Sequence, residues 1–172
     1  MEDLVFNGKE VRWHGQGTFK ATSGMHNYQY PQYQCRPDEG PIPAGNYYIP
    51  LILGDLAEDD GTGRCNLKPS WQLQEIPRGE AAGDCEPYWA NWGYNRVRFE
   101  AANQVTKTKC NPGRGGFYLH DSTKGYSHGC IEVEGRFFNA LREFLKTSKL
   151  KRLNLKVIYN SNERTNGGTY VR

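Results

Sequence analysis

Apolar side chains in this chain recur at every second position in short runs, and one stretch departs from that rhythm. Leu4 to Phe6 and Val11 to Trp13 flank the turn pair Asn7-Gly8 and read as a hairpin. Tyr47 to Leu53 follows the turn-rich Gly40-Pro41-Ile42-Pro43-Ala44-Gly45 and reads as a strand, with Pro50 marking an edge or a bulge. Trp71 and Leu73 alternate with Gln72 and Gln74, and Val97 and Phe99 with Arg96, Arg98 and Glu100, as half-buried strands require. Phe117-Tyr118-Leu119 is a short apolar run, and Leu153, Leu155, Val157 and Tyr159 make a last strand. The exception lies between Arg136 and Lys149. There Phe137, Ala140, Leu141, Phe144 and Leu145 form the i, i+3, i+4, i+7, i+8 stripe of an amphipathic helix. The pattern predicts a mainly β domain with one main amphipathic α-helix. Residues 55–66 and 101–116 read as long surface loops, the second carrying Lys107, Lys109 and Arg114, and residues 160–172 as a loose polar tail. With no repeat and no linker, 1–172 is expected to be a single domain.

Composition narrows the functional classes. A chain of 172 residues, 37% hydrophobic and 24% charged, is long enough for a real core and is not of disordered type. A net charge of +3 without a Lys/Arg-rich run gives no case for nucleic acid. No window approaches the roughly 18 consecutive apolar residues of a membrane helix, so membrane insertion is not expected. The opening MEDLVFNGKEVRW lacks a basic segment followed by an apolar one, and so reads as carrying no secretory signal. Eleven Tyr, seven Phe and four Trp suit β structure or a groove that stacks on flat or sugar-like ligands.

The five cysteines, at 35, 65, 85, 110 and 130, show no zinc-type spacing. An odd count invites two disulfides and one free thiol, with a fully reduced cytosolic set as the alternative. Disulfides persist in oxidising compartments, which sits awkwardly with the missing signal. Four cysteines allow three pairings, and spacing does not choose among them.

The segment with chemical content runs from Gly116 to Val133, GFYLHDSTKGYSHGCIEV. A thiol is mostly protonated at neutral pH and needs a neighbouring base to become the reactive thiolate. His120 precedes Cys130 by ten residues and His128 by two. His120 ends an apolar strand, and the small polar loop Asp121–Ser127 lets the chain return to it, which makes His120 the better base. His128 lies two residues from the thiol, on the same face if the chain is extended, and suits a positioning or oxyanion-side role. Gly129 permits a tight turn, and the N–H groups of Gly129 and Cys130 are candidate oxyanion donors. The plain alternatives are a buried or bridged Cys130 and a turn histidine at 128. A metal site from His120, His128 and Cys130 lacks an evident fourth ligand, so neither metal nor cofactor is expected.

Ser127-His128-Gly129-Cys130 preceded by His120 resembles the Ser/Thr-His-Gly-Cys signature of L,D-transpeptidases. Together with the upstream Gly40-Pro41-Ile42-Pro43-Ala44-Gly45-Asn46-Tyr47-Tyr48-Ile49, it looks most like the type VI secretion effectors of that class, antibacterial toxins delivered into a rival's periplasm. The resemblance implies an L,D-transpeptidase-like β-sandwich, Cys130 as nucleophile and His120 as base. It also implies a backbone carbonyl near Asp121 orienting that ring, and His128 with Gly129 on the oxyanion side. Ser127, Tyr118, Arg114 and Trp92 are the expected substrate contacts. The implied partners are peptidoglycan stem peptides, a cognate immunity protein and the secretion machinery, with activity in the target cell's periplasm. Such delivery needs no signal and still reaches an oxidising compartment. One departure is Glu132, where the class commonly has Asn or Arg two residues after the cysteine. It leaves the binding of the donor peptide's carboxylate open, with Arg114 and Arg136 as possible replacements. Two rivals remain. A papain-like cysteine peptidase places its histidine after the nucleophile, and no histidine follows Cys130. A non-catalytic wall-binding module would use Tyr88, Trp89, Trp92 and Tyr94.

Overall fold

Asn7-Gly8 closes the first hairpin as its turn chemistry requires: the Asn7 carboxamide oxygen accepts from the N–H groups of Lys9 and Glu10, and Gly8 takes φ 101°. The computed structural model describes residues 3–172. Met1 and Glu2, which open both the segment read for a signal and the 1–172 domain, lie outside it. The strands are β1 (Leu4–Phe6), β2 (Glu10–Trp13), β3 (Gly17–Ser23), β4 (Gly45–Pro50), β5 (Leu53–Leu56), β6 (Leu73–Glu75), β7 (Asn95–Ala101), β8 (Phe117–His120), β9 (Ile131–Val133) and β10 (Arg152–Val157). The helices are α1 (Glu86–Trp89), α2 (Gln104–Lys107) and α3 (Arg136–Thr147).

Hydrogen bonding runs in the order β4-β10-β1-β2-β3-β9-β8-β7-β6-β5, and β7 also pairs back onto β4 through Tyr47↔Ala101 and Tyr48↔Glu100. That second pairing closes eight strands, β4 to β7 in this order, into a ring. The architecture is therefore a barrel where a β-sandwich was expected, because β4 uses both of its edges; the mainly β class holds. Alternation explains the filling. Leu4, Phe6, Val11, Trp13, Phe19, Tyr47, Ile49, Val97, Phe99, Phe117, Leu119, Ile131, Val133, Leu153, Leu155 and Val157 all point inward and are buried. An eight-stranded barrel is just wide enough for such side chains to fill. Helix α3 lies where the 3.6-residue stripe predicts and seats Phe137 against Trp13 and Phe19, at ring distances of 5.6 and 5.5 Å.

Five of these elements escape the sequence reading, β5 by running into the stretch 55–66 read as a loop. Strand β3 buries Thr22 and Ser23 alongside Phe19 and Ala21, so its inward face is partly polar. Strand β9 is only three residues long. Helices α1 and α2 span four residues each, too short to show periodicity. Residues 57–92 carry a second small core of Ala57, Leu67, Ile76, Ala82 and Trp89. A Cys65–Cys85 disulfide staples it, and Cys35–Cys110 ties the loop before β4 to the loop before β8. The expected loose tail is instead tied down. Thr165 N–H donates to the Gln29 carbonyl, Gly167 N–H to that of Ala21 and Val171 N–H to that of Thr123. Thr165 and Thr169 are buried.

Candidate active site

Two neighbouring parallel strands carry the site. In β8 and β9, Leu119 pairs with Ile131 and His120 with Glu132. Phe117, Leu119, Ile131 and Val133 belong to the barrel core. By alternation Tyr118, His120, Glu132 and the preceding Cys130 project from the outer face. Cys130 thus stands beside Tyr118, whose N–H points at Sγ from 3.4 Å, and His120 is the next outward side chain along β8. The loop 121–129 makes the whole crossover, which brings a residue after β8 and a residue before β9 over the same patch.

Cys130 is the one free cysteine among the described residues and is half-buried. Burial pushes its thiol pKa up, while the Tyr118 N–H and the cations Arg96, Arg114 and Lys124 pull it down. His120 is buried, and desolvation lowers its pKa to about 3, with Lys124, Arg96 and His128 acting in the same direction. Both shifts favour the neutral forms, a protonated thiol and a neutral imidazole, over a preformed ion pair.

A main-chain carbonyl and a hydroxyl orient His120. Its ring contacts the Trp92 carbonyl and, at Nδ1, the Ser122 hydroxyl 3.1 Å away. Asp121 acts through its side chain, accepting from the N–H groups of Tyr94 and Asn95 at 2.7 and 2.8 Å. That grip fixes the turn that carries Trp92, so Asp121 supports the ring indirectly. The Trp92 indole packs edge-on against Tyr118 and His120, with the buried Arg96 guanidinium 4.6 Å from Trp92 and 4.5 Å from Tyr118.

The Ser-His-Gly-Cys turn is held from below. The Ser127 hydroxyl accepts from Gly24 N–H and donates to the Cys130 carbonyl, and Gly129 N–H approaches it at 3.4 Å. Ser23 accepts from Ile42 N–H and donates to the Gly129 carbonyl. Arg114 binds the carbonyls of Gln34, Pro41, Gly40 and His128. Gly129 adopts φ +116°, and a Cβ there would lie 2.3 Å from the Arg114 guanidinium, so only glycine fits. Arg114 and Ser23 therefore join the Gly40–Ile49 element to the turn bearing Cys130. His128 is exposed, and its Nδ1 donates to the Asp38 carbonyl at 2.9 Å.

These contacts redistribute the expected roles. The Arg114 guanidinium is committed to carbonyls, and Arg136 pairs with Glu134 at the start of α3, beyond the far end of β9 from Cys130. Glu132 is fully buried beneath the 122–125 loop. Its carboxylate accepts from the Ser122 hydroxyl, the N–H groups of Lys124 and Gly125, and the Thr169 hydroxyl. The aromatic group splits: Trp89 is buried with its Nε1–H on the Cys65 carbonyl, while Tyr88 and Tyr94 are exposed. Among the described residues, no three His, Cys, Asp or Glu side chains gather as a metal cluster, and no helix is long and apolar enough to cross a membrane.

Fold and site together define a mainly β barrel with a lone thiol and a buried imidazole carried on the outer face of two adjoining strands. The family model described as the Tlde1 domain matches residues 17–155, and the chain belongs to that family of L,D-transpeptidase-like type VI secretion effectors. None of the curated proteins compared with the chain matches it.

Proposed function

We propose that the protein is an antibacterial effector that shortens or exchanges peptidoglycan stem peptides through a thioester on Cys130. The observation that carries this is the free, half-buried thiol just before β9, on the same outer face as His120 of the adjoining strand β8. Cys130 attacks the carbonyl between the third, diamino-acid residue and D-Ala of a tetrapeptide stem. His120 takes the thiol proton and passes it to the departing D-Ala amine. Water then releases a tripeptide stem, an L,D-carboxypeptidase reaction, or a D-amino acid or a second stem takes the acyl group by exchange or transpeptidation. Cys130 N–H is the main-chain donor assigned to the oxyanion, with Gly129 N–H released from Ser127 as its partner. The half-buried Lys124 ammonium sits 4.5 Å from the Tyr126 ring and lowers the thiol pKa. With Arg114 committed, Lys124 is the cation assigned to the donor peptide's carboxylate.

Tyr118, Trp92 and Ser127 act in this reading by shaping the patch and fixing the turn, and His128 borders the entrance. Loss of donor stems would starve cross-linking in the recipient's periplasm. The producing cell then needs an immunity protein, for which a plug over the outer face is the simplest form. The test is to incubate the protein and its Cys130→Ala variant with purified muropeptides and follow stem lengths by mass spectrometry. Loss of one alanine from tetrapeptides, with the native protein only, is expected. Unchanged stems with both would transfer the case to a wall-binding module, and equal cleavage by both would remove Cys130 from the chemistry.

A further inference from the structure

Glu132 falls outside the roles assigned above, yet with Ser122 it forms a continuous chain from the candidate base into the protein. The Ser122 hydroxyl lies 3.1 Å from His120 Nδ1 and in short contact with Glu132 Oε2. All three residues are buried. Glu132 Oε1 and Oε2 each accept a main-chain N–H, from Gly125 and Lys124 respectively, so both oxygens present lone pairs. A serine hydroxyl has one proton. With that proton on Glu132, Ser122 Oγ faces His120 as an acceptor, and Nδ1 must carry the ring hydrogen. Nε2 is then the unprotonated nitrogen, the form a general base needs.

We infer that Glu132 and Ser122 are positioning residues that hold His120 in its Nδ1–H tautomer through the relay Glu132–Ser122–His120. The inference rests on the proposed acyl transfer for its catalytic meaning. No proton travels along the relay. When Nε2 takes the Cys130 proton, Nδ1–H stays on Ser122, and the buried carboxylate stabilises the imidazolium through the hydroxyl dipole. This gives the departure at position 132 a reason. Because residues 130 and 132 share a face, the side chain two after the nucleophile reaches the base's orienting partner and not the solvent. The same carboxylate anchors Thr169, so the C-terminal segment braces the relay from outside.

The test reads the tautomer directly. Long-range 1H–15N NMR of the labelled protein at neutral pH, with His120 assigned by a His120→Gln spectrum, should show a pyrrole-type Nδ1 and a pyridine-type Nε2. A ring protonated on Nε2 would overturn the relay. Ser122→Ala should lose the Nδ1–H signature and lower kcat on the order of tenfold to a hundredfold at unchanged KM, as for other partners that orient an imidazole. Ser122→Thr, which keeps the hydroxyl, should restore both. A Ser122→Ala enzyme with native kcat and tautomer would equally defeat the inference. If the native protein leaves muropeptides unchanged, the acyl-transfer reading fails, while the tautomer still decides the relay on its own.

Discussion

At the scale of residues, the reactive pair is set by desolvation. His120, with its pKa lowered to about 3 by burial, is neutral around physiological pH, so ordinary imidazole titration near 6.5 contributes no acid limb. Thiol ionisation is the remaining control, and its pKa is raised. The account predicts a kcat/KM that climbs from neutral into alkaline pH, without the bell shape of an ion-paired cysteine. Lys124→Gln removes one of the cations that favour the thiolate and should move this limb to higher pH; a pH–rate series on both proteins checks it. Replacing His120 by Ala should cost about 10²–10⁴ in rate, the usual share of a general base. Cys130 and His120 could be singled out as candidates in the sequence because a lone thiol downstream of a strand-ending histidine is a pattern of residue types. The partners of His120 were not. Trp92 contributes a carbonyl, which no side chain advertises, and Ser122 looked like one more small polar loop residue. Glu132 was visible as a departure, and the one available signal to its place was the two-residue step from Cys130.

At the scale of elements, the turn carrying Cys130 depends on contacts from distant loops. Arg114 reaches four carbonyls across the 34–41 and 128 segments, and Cys35–Cys110 ties the same loops covalently. Bridging residues 75 apart in sequence contributes about 2–4 kcal/mol. Arg114→Gln should therefore lower activity and thermal stability together, measured by turnover and melting temperature, since its loss frees buried carbonyls. Intact-mass analysis after alkylation without reductant should show a single labelled thiol, on Cys130. Five labelled thiols would contradict the two bridges. Sequence alone offered two bridges and a free thiol as one reading but not their partners, because pairing is decided by which loops meet. The hairpin at Asn7-Gly8, helix α3 and the last strand β10 were readable from local chemistry and periodicity. Strand β3 was not, since burying Thr22 and Ser23 breaks the apolar alternation.

At the scale of the whole molecule, ring closure depends on one strand, β4, which pairs with β10 and with β7. Nothing in the alternation of a single strand distinguishes a closed barrel from a sandwich, which is why the class was legible and the closure was not. The docked 165–171 segment was hidden for a similar reason: its sequence is polar, and its order comes from main-chain and hydroxyl bonds to β3 and the site loop. Burial of a neutral His120 also has a global consequence. The folded pKa near 3 lies below the unfolded value of 6.5, so the unfolded chain binds the extra proton in that window. Stability is fully present above 6.5 and is lost as pH falls toward 3, with a slope of up to about 1.4 kcal/mol per pH unit from this group. Denaturant midpoints taken between pH 7 and 4 should fall for the native protein and fall less for His120→Gln.

Acylation of Cys130 is the step on which the proposed chemistry turns. Incubation with a tetrapeptide-stem substrate, rapid acid quench and mass mapping of the peptide holding Cys130 measures it directly. A thioester-linked tripeptide stem is expected on Cys130, disappearing with time and never forming in His120→Ala at comparable rate. Stems that shorten while Cys130 stays unmodified, in the quench and after slow-substrate trapping alike, would contradict it.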